Sequence, residues 1–249
     1  MKKLSLFAAA LLVSACGGEG SNTTAATSNA PLEQVAAPNG GDWTRTVTQT
    51  PEGGMLLGNP NASVKVVEFG SMTCHICQEF AAEGEPKLVE NYVKSGQVSY
   101  EFRNFVRDPL DISMSLITRC AGATPQFFQL TSALYAEQPR ILEQVQKVPP
   151  QQLQALQSAS PAQQFGQFAQ FAGLQAWAAQ RGLPSARTSQ CLANQAEAER
   201  LVQMTSDASS QHEVTGTPTF LLDGEVAAPP QAGQTHWQNL ERQIRGALG

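Results

Sequence analysis

A strand, a turn and a pair of cysteines follow one another in the stretch that decides the fold, Val64-Lys65-Val66-Val67-Glu68-Phe69-Gly70-Ser71-Met72-Thr73-Cys74-His75-Ile76-Cys77. Its first part is mainly apolar and β-branched, which predicts a buried strand. Gly70 and Ser71 end this run, and Thr73 offers a hydroxyl where a helix can begin. Apolar residues then recur at helical spacing as far as Tyr92. The pattern predicts a Cys-x-x-Cys pair where a strand passes into a helix.

The position of Cys74 at the start of this helix favours its ionised form. Two cysteines three residues apart in the first turn of a helix are close enough to form a disulfide. Free N–H groups and the partial positive charge of a helix N-terminus stabilise a thiolate, the reactive form of cysteine. A protonated His75 would add to this effect. We expect Cys74 to be the low-pKa thiol and Cys77 to be the buried, less reactive one.

The N-terminus has the pattern of an export signal. Two lysines precede the apolar segment Leu4–Val13, which is too short to span a bilayer. The residues before Cys16 are typical of a lipobox, which predicts a signal peptide at residues 1–15 and a lipid on Cys16. An ordinary signal peptide that happens to contain a cysteine is the alternative. By resemblance to bacterial lipoproteins, Gly17 favours the outer membrane, facing the periplasm.

Composition limits the remaining chain to one domain, or to one domain with an insertion. Residues 16–41 are predicted to be the lipidated cysteine and a flexible tether, because they lack apolar periodicity. The net charge is −5, and no basic run follows the first lysines, so nucleic-acid binding has no support. We expect attachment to the membrane through the lipid alone, since no later stretch is long and apolar enough to cross it.

A βαβ unit is predicted around the cysteine helix. Polar and apolar residues alternate from Val98 to Phe105, which indicates a second strand, and Gly96 is expected to end the intervening helix. A strand, a helix and a strand of these lengths form a right-handed crossover. Residues 43–49 and 53–57 are predicted to form a pair of edge strands.

The middle of the chain is rich in alanine, glutamine and leucine at helical spacing. Helices are predicted at residues 110–123, 125–137, 139–147, 161–181 and 188–208. Aromatic and leucine side chains recur between Phe165 and Trp177, which predicts an amphipathic helix with a core-facing apolar side. An exposed surface for substrate is the alternative.

Strand character returns near the C-terminus. Residues 214–222 predict a strand, Asp223-Gly224 a hairpin turn, and residues 235–248 a closing amphipathic helix. Neither His212 nor His236 has a partner visible in the sequence, and both are predicted to be surface residues.

The cysteine count suits two disulfides in an exported chain. If Cys16 carries lipid, four cysteines remain, and proximity nearly forces the pair Cys74–Cys77. Cys120 and Cys191 are then left as the second pair. A structural zinc site is the competing use, but it usually needs two close-spaced pairs and the sequence has one. We expect no metal or other cofactor.

Several motifs together resemble the DsbA-like thiol:disulfide oxidoreductases of the bacterial periplasm. They are Glu68-Phe69, Ser71, Cys74-x-x-Cys77, the helical middle segment and Thr217-Pro218-Thr219-Phe220. The resemblance runs from about Gly53 to the C-terminus. It implies an α/β, thioredoxin-like fold with an α-helical domain inserted into it. The thioredoxin-like domain is then residues 42–107 and 209–249, and the insertion is residues 108–208.

The resemblance also implies roles in thiol exchange. Cys74 is the nucleophile in a mixed disulfide, and Cys77 resolves it. Glu68 is expected to lie beneath the site and to shuttle a proton for Cys77, because its neighbours in the strand are apolar; a solvated strand carboxylate is the alternative.

A substrate-binding surface follows from the same resemblance. Pro218 resembles the cis-proline of this fold, which places the backbone of Thr217 where an extended substrate chain can pair with it. Ile76 is expected to contact the substrate as well. An ordinary trans proline in a turn is the alternative.

The sequence departs from the best-known oxidants of the family. His75-Ile76 stands between the cysteines where those proteins have Pro-His, and this dipeptide tunes the reduction potential. Thr217 precedes the proline, as in many relatives that act as isomerases or reductases. The pair Cys120 and Cys191 resembles a second disulfide in the helical domain of some members.

The sequence therefore predicts a periplasmic dithiol oxidase that acts on exported proteins with cysteines and is reoxidised by a membrane redox partner. A disulfide reductase or isomerase, kept open by Thr217 and the His75-Ile76 dipeptide, is the alternative. A Cu(I) metallochaperone using Cys74, Cys77 and Met72 is a third, less favoured prediction, because the cysteines lack a further Met or His cluster.

Overall fold

A computed structural model describes residues 32–249 as a mixed sheet surrounded by helices. The predicted signal peptide and Cys16 lie outside the described residues. The strands are β1 (Val47–Gln49), β2 (Met55–Gly58), β3 (Val64–Gly70), β4 (Val98–Asn104), β5 (Thr219–Leu222) and β6 (Glu225–Val226). The helices are α1 (His75–Glu83), α2 (Glu85–Asn91), α3 (Pro109–Arg119), α4 (Pro125–Gln146), α5 (Pro150–Leu156), α6 (Pro161–Phe171), α7 (Leu174–Ala179), α8 (Ser185–Leu192), α9 (Gln195–His212) and α10 (His236–Leu248). In this part of the chain, every helix is too short or too polar to span a bilayer.

The sheet has the order β1-β2-β4-β3-β5-β6 and is built around one parallel pair. β3 and β4 run parallel over their full length, from Val64 opposite Val98 to Gly70 opposite Asn104. Helices α1 and α2 connect them, so the predicted βαβ unit is present. All other neighbouring strands pair antiparallel. β3 lies inside the sheet and ends at Gly70, directly before the loop that leads to the cysteines.

The C-terminal strand closes the sheet beside the cysteines. β5 pairs antiparallel with β3, with Thr219 opposite Phe69. The backbone just before β5, including Thr217 and Pro218, therefore lies near the end of β3, where the cysteine helix begins. The predicted Asp223-Gly224 hairpin joins β5 to β6.

The helical middle segment shares a core with the sheet. α3 packs against α4, α6, α7, α8 and α9, while α4 packs against α1. A single cluster of buried apolar side chains runs from β2, β3 and β4 into these helices. Phe165, Leu174 and Trp177 are part of this cluster and Phe168 packs against it, as the periodicity predicted, whereas Phe171 does not belong to it. The helical segment therefore contacts the cysteine helix directly, through the packing of α4 against α1.

Several helix boundaries differ from the predicted ones. The cysteine helix is interrupted at Gly84, because Pro86 lacks an N–H group and starts a new helix, α2. α4 instead continues through Pro139, where two helices were predicted. The helix predicted at 161–181 breaks at Gly173, whose φ of 66° is left-handed.

Two further corrections concern the ends of predicted segments. The predicted helix 188–208 is two helices, since the side chain of Asn194 caps a new one, α9. α9 continues to His212, so the predicted domain boundary at 208 falls inside a helix. α5 was not predicted. The predicted strand at 43–49 begins only at Val47, after a 3₁₀ turn at Trp43–Arg45.

The last residues of the predicted tether dock on the folded domain. The N–H of Val35 donates to the carbonyl of Ser95 at 2.8 Å, and the indole of Trp43 donates to the carbonyl of Val35 at 2.8 Å. The amide of Gln97 donates to the carbonyl of Glu33 at 2.7 Å. Backbone hydrogen bonds need no apolar periodicity, which is why the sequence pattern missed this contact.

A disulfide joins the end of α3 to α8. Cys120 and Cys191 have their sulfurs 1.99 Å apart and their Cα atoms 5.8 Å apart. They are 71 residues apart in the chain. The bond closes a long loop that contains α4, α5, α6 and α7.

Replacement of both Cys120 and Cys191 by alanine should destabilise the protein. Loss of a cross-link over 71 residues lowers the unfolding free energy by up to roughly 4 kcal/mol in the chain-entropy estimate. Urea unfolding of the oxidised protein measures this change. The matched control replaces Cys74 and Cys77 instead, which removes only a three-residue link. An unfolding midpoint equal to that of wild type would contradict a stabilising role.

Candidate active site

The cysteine pair lies at the N-terminus of α1, at the end of β3. Cys74 is the N-cap residue and Cys77 lies in the first turn. Thr73 was predicted as the start of the helix, but its hydroxyl instead accepts a hydrogen bond from Arg107 at 3.0 Å. Both thiols are free in the structure, with Cys74 6% exposed and Cys77 fully buried.

The surroundings of Cys74 favour its thiolate. Hydrogen bonding from the thiol of Cys77 is the main reason that the pKa of Cys74 is lowered to about 5. The side chain of Thr217 and the backbone N–H groups of Cys77 and Ile76 contribute in the same direction, while burial opposes them. Cys74 is therefore ionised at neutral pH, the form in which a thiol is a nucleophile and a good leaving group.

Thr217 approaches Cys74 from the other side of the site. The peptide bond between Thr217 and Pro218 is cis. Its carbonyl oxygen lies 3.2 Å from the sulfur of Cys74 and can accept the thiol proton. The hydroxyl of Thr217 is buried and has no hydrogen-bond partner among the described residues. It is placed to donate to the sulfur once the thiolate forms.

Cys77 has the opposite tendency. Burial is the main reason that its pKa is raised well above the usual range. The hydrogen bond to Cys74 and the negative charges of Glu68 and Cys74 raise it further. Two thiols in one helical turn thus differ strongly in acidity.

Glu68 lies beneath the cysteines, on β3. It is 1% exposed, and its carboxylate accepts a hydrogen bond from the hydroxyl of Tyr100 at 2.6 Å. Burial raises the pKa of Glu68 to about 8, and the charges of Glu85 and Cys74 act in the same direction. The burial predicted from its apolar neighbours is therefore present. A group with this pKa can both hold and release a proton near neutral pH.

His75 has a different partner from the one expected. Its Nε2 atom lies 2.9 Å from a carboxylate oxygen of Glu79, one turn along α1, and its side chain is 72% exposed. The groups that lower the pKa of Cys74 are Cys77, Thr217 and backbone N–H groups instead. The thiolate thus has sufficient donors without the imidazole.

His236 is closer to the site than the sequence predicted. It is half-buried at the start of α10, with its ring centroid 6.3 Å from that of Phe220. Burial lowers the pKa of His236, while the charges of Cys74 and Glu79 act against this shift. The predicted surface position is correct in part, because His236 lines the open cleft while the packing of α10 against α1 and β5 covers part of its side chain.

An open cleft of about 690 Å³ adjoins the cysteine helix. Ile76 and Phe80 from α1 face His236 and Trp237 from α10 across it. Carboxylates of α1, including Glu79, lie along its lining. The cleft comes closest in sequence to the cysteine pair at Ile76, which lies between the two cysteines.

The described residues offer little to a metal ion. Between residues 32 and 249, no group of three or more His, Cys, Asp or Glu side chains is arranged to hold one. Cys74 and Cys77 are two sulfur donors, and Met72 is buried in the core. The arrangement is better suited to exchange between the two sulfurs.

Sequence reasoning missed the residues that support the site from elsewhere. Tyr100 was assigned only to a strand, although the parallel register of β3 and β4 brings it near Glu68. Asp111 and Gln138 contact the loop before Cys74 from α3 and α4. Nothing in their local sequence distinguishes them from other polar residues of a helix.

Comparison with known proteins agrees with this architecture. A family model described as thioredoxin matches residues 50–244. A crystal structure titled as a protein-disulfide isomerase from Novosphingobium aromaticivorans is 35% identical, with a TM-score of 0.70, and the match covers 78% of this chain and 96% of that one. Wolbachia pipientis α-DsbA1 is 20% identical with a TM-score of 0.57, covering 86% and 95%, which supports the fold.

Curated relatives match over shorter segments. A Rickettsia conorii protein, named as a candidate protein-disulfide oxidoreductase, is 32% identical over 84 residues, which are 34% of this chain and 30% of that protein. The chain thus spans about a third of the length of this relative. The thioredoxin match covers most of the chain, and the fold and the cysteine pair agree with it. The chain therefore belongs to the thioredoxin family and has the fold of its DsbA-like members.

Proposed function

We propose that the protein is a thiol:disulfide oxidoreductase that exchanges disulfides with other proteins through Cys74 and Cys77. The observation that carries the proposal is the placement of two free thiols in one helical turn, with Cys74 as the N-cap 3.2 Å from the carbonyl oxygen of Thr217 and Cys77 fully buried. This placement lowers the pKa of Cys74 and raises that of Cys77. Such a pair has one sulfur suited to attack and departure and a second suited to remain protected until it is needed.

In the oxidising direction, the enzyme begins with a Cys74–Cys77 disulfide. A substrate thiolate attacks the sulfur of Cys74, and Cys77 leaves as a thiolate. A second substrate thiolate then attacks the substrate sulfur of the mixed disulfide, and Cys74 leaves as a stable thiolate. The substrate loses two electrons and gains a disulfide, while the enzyme becomes a dithiol.

Glu68 supplies and accepts the proton of Cys77 in this scheme. When Cys77 leaves, its high pKa requires prompt protonation, and a protonated Glu68 beneath it is a suitable donor. In the mixed disulfide, Cys74 carries no charge, so one of the effects that raises the pKa of Glu68 is absent. A larger fraction of Glu68 is then ionised at neutral pH and available to accept the proton of Cys77 when that thiol must attack.

Thr217 and the cleft beside α1 form the substrate-binding surface in this proposal. The cis peptide leaves the backbone of Thr217 and Pro218 beside the reacting sulfur. An extended substrate chain can pair with this backbone, as a strand added to an edge does. Ile76 lines the cleft and provides apolar contact next to the reacting cysteine.

We favour net oxidation over reduction. Stabilising the Cys74 thiolate stabilises the dithiol form and makes the disulfide a stronger oxidant, by about 30 mV for each pKa unit. Isomerisation is the second candidate, because the similar Novosphingobium aromaticivorans structure is titled as a protein-disulfide isomerase. It uses the same dithiol, with Cys74 attacking an incorrect substrate disulfide.

The substrates in this proposal are exported proteins that contain cysteines. The N-terminal signal pattern supports a periplasmic location, anchored by lipid on Cys16 with the outer membrane favoured. Oxidation of each substrate leaves a dithiol enzyme, so a membrane redox partner must accept two electrons to restore the disulfide.

Alkylation of the reduced protein at about pH 6 should label Cys74 first. A thiol with a pKa near 5 is already ionised there, whereas Cys77 is a buried thiol. Mass spectrometry of peptides after brief exposure to iodoacetamide measures the order. Cys77→Ala should accumulate mixed disulfides with substrates, and Cys74→Ala should abolish exchange. Equal labelling of both cysteines would contradict the proposed division of roles.

Glu68→Gln should slow the exchange steps that involve Cys77 while the fold is retained. Assistance from a general acid or base is typically worth about 10²-fold to 10⁴-fold, and glutamine can neither donate nor accept this proton. Stopped-flow single-turnover exchange between about pH 5 and 8 measures the loss. Glu85→Gln is the matched control, since Glu85 is also buried, with a pKa raised by burial to about 7, but bonds to Ser132. Because the charge of Glu85 also raises the pKa of Glu68, wild type is the reference for the outcome: Glu68→Gln rates equal to those of wild type would exclude the proton-transfer role.

The reduction potential decides between the candidate directions. Equilibration with glutathione buffers should give a value well above that of thioredoxin, about −270 mV, if net oxidation is correct. The companion assays are oxidation of a reduced two-cysteine peptide and reactivation of ribonuclease with scrambled disulfides. A thioredoxin-like potential with strong reactivation would favour the isomerase or reductase.

A further inference from the structure

The loop before the nucleophile, Ser71–Cys74, is held by side chains from the helical segment. We call it the active-site loop. Asp111, on α3, accepts a hydrogen bond from the hydroxyl of Ser71 at 2.6 Å and another from the N–H of Met72 at 2.9 Å. It also accepts from the N–H of Arg107 at 3.1 Å. One carboxylate thus ties the loop to the beginning of α3.

Helix α4 holds the same loop through its carbonyl groups. The hydroxyl of Tyr135 donates to the carbonyl of Ser71 at 3.1 Å. The amide of Gln138 donates to the carbonyl of Met72 at 2.8 Å and to that of Cys74 at 3.0 Å. Three of the four backbone carbonyl groups of the loop therefore accept hydrogen bonds from two side chains one turn apart on α4.

Burial of these three polar side chains in the core is energetically unfavourable unless they form hydrogen bonds. Asp111, Tyr135 and Gln138 are at most 2% exposed. A buried polar group stabilises the fold little unless its hydrogen bonds are complete, and a buried carboxylate costs more. Burial accordingly raises the pKa of Asp111 to about 7. All three direct their polar atoms at one loop, so the loop is what they have in common.

The geometry of this loop controls the donors around the Cys74 sulfur. Cys74 is the N-cap, and its carbonyl accepts the first helical hydrogen bond, from Gln78, at 3.1 Å. Gln138 binds that same carbonyl. A rotation of the Cys74 backbone would turn its sulfur away from the N–H groups of Ile76 and Cys77, which favour the thiolate.

We propose that Asp111, Tyr135 and Gln138 are positioning residues, which hold the active-site loop so that the Cys74 sulfur meets its hydrogen-bond donors. The helical segment then has a part in the chemistry, because it sets the reactivity of a cysteine that belongs to the thioredoxin-like sheet. The inference rests on the proposed function for its consequence, but the ionisation of Cys74 can be measured without any substrate protein.

The test compares Gln138→Met with Gln126→Met. Both glutamines are on α4, and Gln126 also donates to a backbone carbonyl, that of Arg181, at 2.9 Å. Methionine keeps the size and flexibility of glutamine but removes the donor. The pH dependence of iodoacetamide alkylation of the reduced protein gives the apparent pKa of Cys74, and urea unfolding gives the stability of each variant.

Gln138→Met should raise the apparent pKa of Cys74 by a unit or more. From a starting value of about 5, this makes alkylation at pH 5 about fivefold slower, because the thiolate fraction falls from about a half to about a tenth. Gln126→Met should leave the titration of Cys74 unchanged while lowering stability. The reduction potential measured in glutathione buffers should be lower for Gln138→Met than for wild type and unchanged for Gln126→Met.

Two milder variants keep the proposal testable if Gln138→Met does not fold. Tyr135→Phe removes one hydroxyl donor. Asp111→Asn replaces one accepting oxygen by an NH₂ group, which cannot accept the hydrogen bonds that the carboxylate receives. Both should shift the titration in the same direction. If wild type has a lowered Cys74 pKa and these variants have the same Cys74 pKa as Gln126→Met, the positioning role is wrong but the proposed function stands. A wild-type Cys74 with an ordinary pKa, about 8.5, would overturn the proposed function and this inference together.

Discussion

The hydrogen bonding that stabilises the thiolate of Cys74 is the interaction on which the rest of the site depends. Burial by itself would raise the pKa of Cys74, as it does for Cys77 one turn away. Cys74 escapes this effect mainly because the thiol of Cys77 donates a hydrogen bond to its sulfur, and the side chain of Thr217 and the N–H groups of Cys77 and Ile76 at the start of α1 act in the same direction. A difference of position by three residues therefore separates a stable thiolate from a protected thiol.

The sheet brings the other components to this sulfur from distant parts of the chain. β3 ends directly before the active-site loop, so its buried carboxylate, Glu68, comes to lie beneath the pair. β5 pairs antiparallel with β3, which brings the backbone carbonyl of Thr217 to 3.2 Å from the sulfur of Cys74. Neither placement depends on the helical segment, but the orientation of the loop between them does.

Local patterns predicted the parts of the site that lie on regular elements. The strand, the cysteine helix and the second strand follow from hydrophobic periodicity over residues 64–105, and the burial of Glu68 follows from its apolar neighbours. The contacts of Asp111, Gln138 and His236 are of a different kind, because they form between segments far apart in sequence. A polar residue on a helix has no local signal that says whether it faces water or a loop in the core.

Several predicted helix boundaries were wrong for a related reason, which is that packing between distant segments decides them. Pro139 lies inside α4 although proline disfavours helix interiors, while the helix predicted as continuous from residue 161 breaks at Gly173. Packing on the sheet and on α3 outweighs the local preference in the first case. The tether prediction is wrong for residues 33–35, because these residues dock through backbone groups, which carry no side-chain pattern.

The buried carboxyl groups show what the site costs the fold. Burial raises the pKa of Glu68 to about 8 and those of Asp111 and Glu85 to about 7, well above the values of exposed carboxyls. A folded-state pKa above the unfolded one means that the folded chain holds the proton more tightly. The stability that each group contributes is therefore fully present below about pH 4 and is lost as the pH rises towards 7 or 8. At neutral pH the fold retains these groups at a net disadvantage. Selection for stability alone would favour apolar residues there, so the positions of Glu68 beneath Cys77 and of Asp111 behind the active-site loop are better explained by the chemistry of the cysteines.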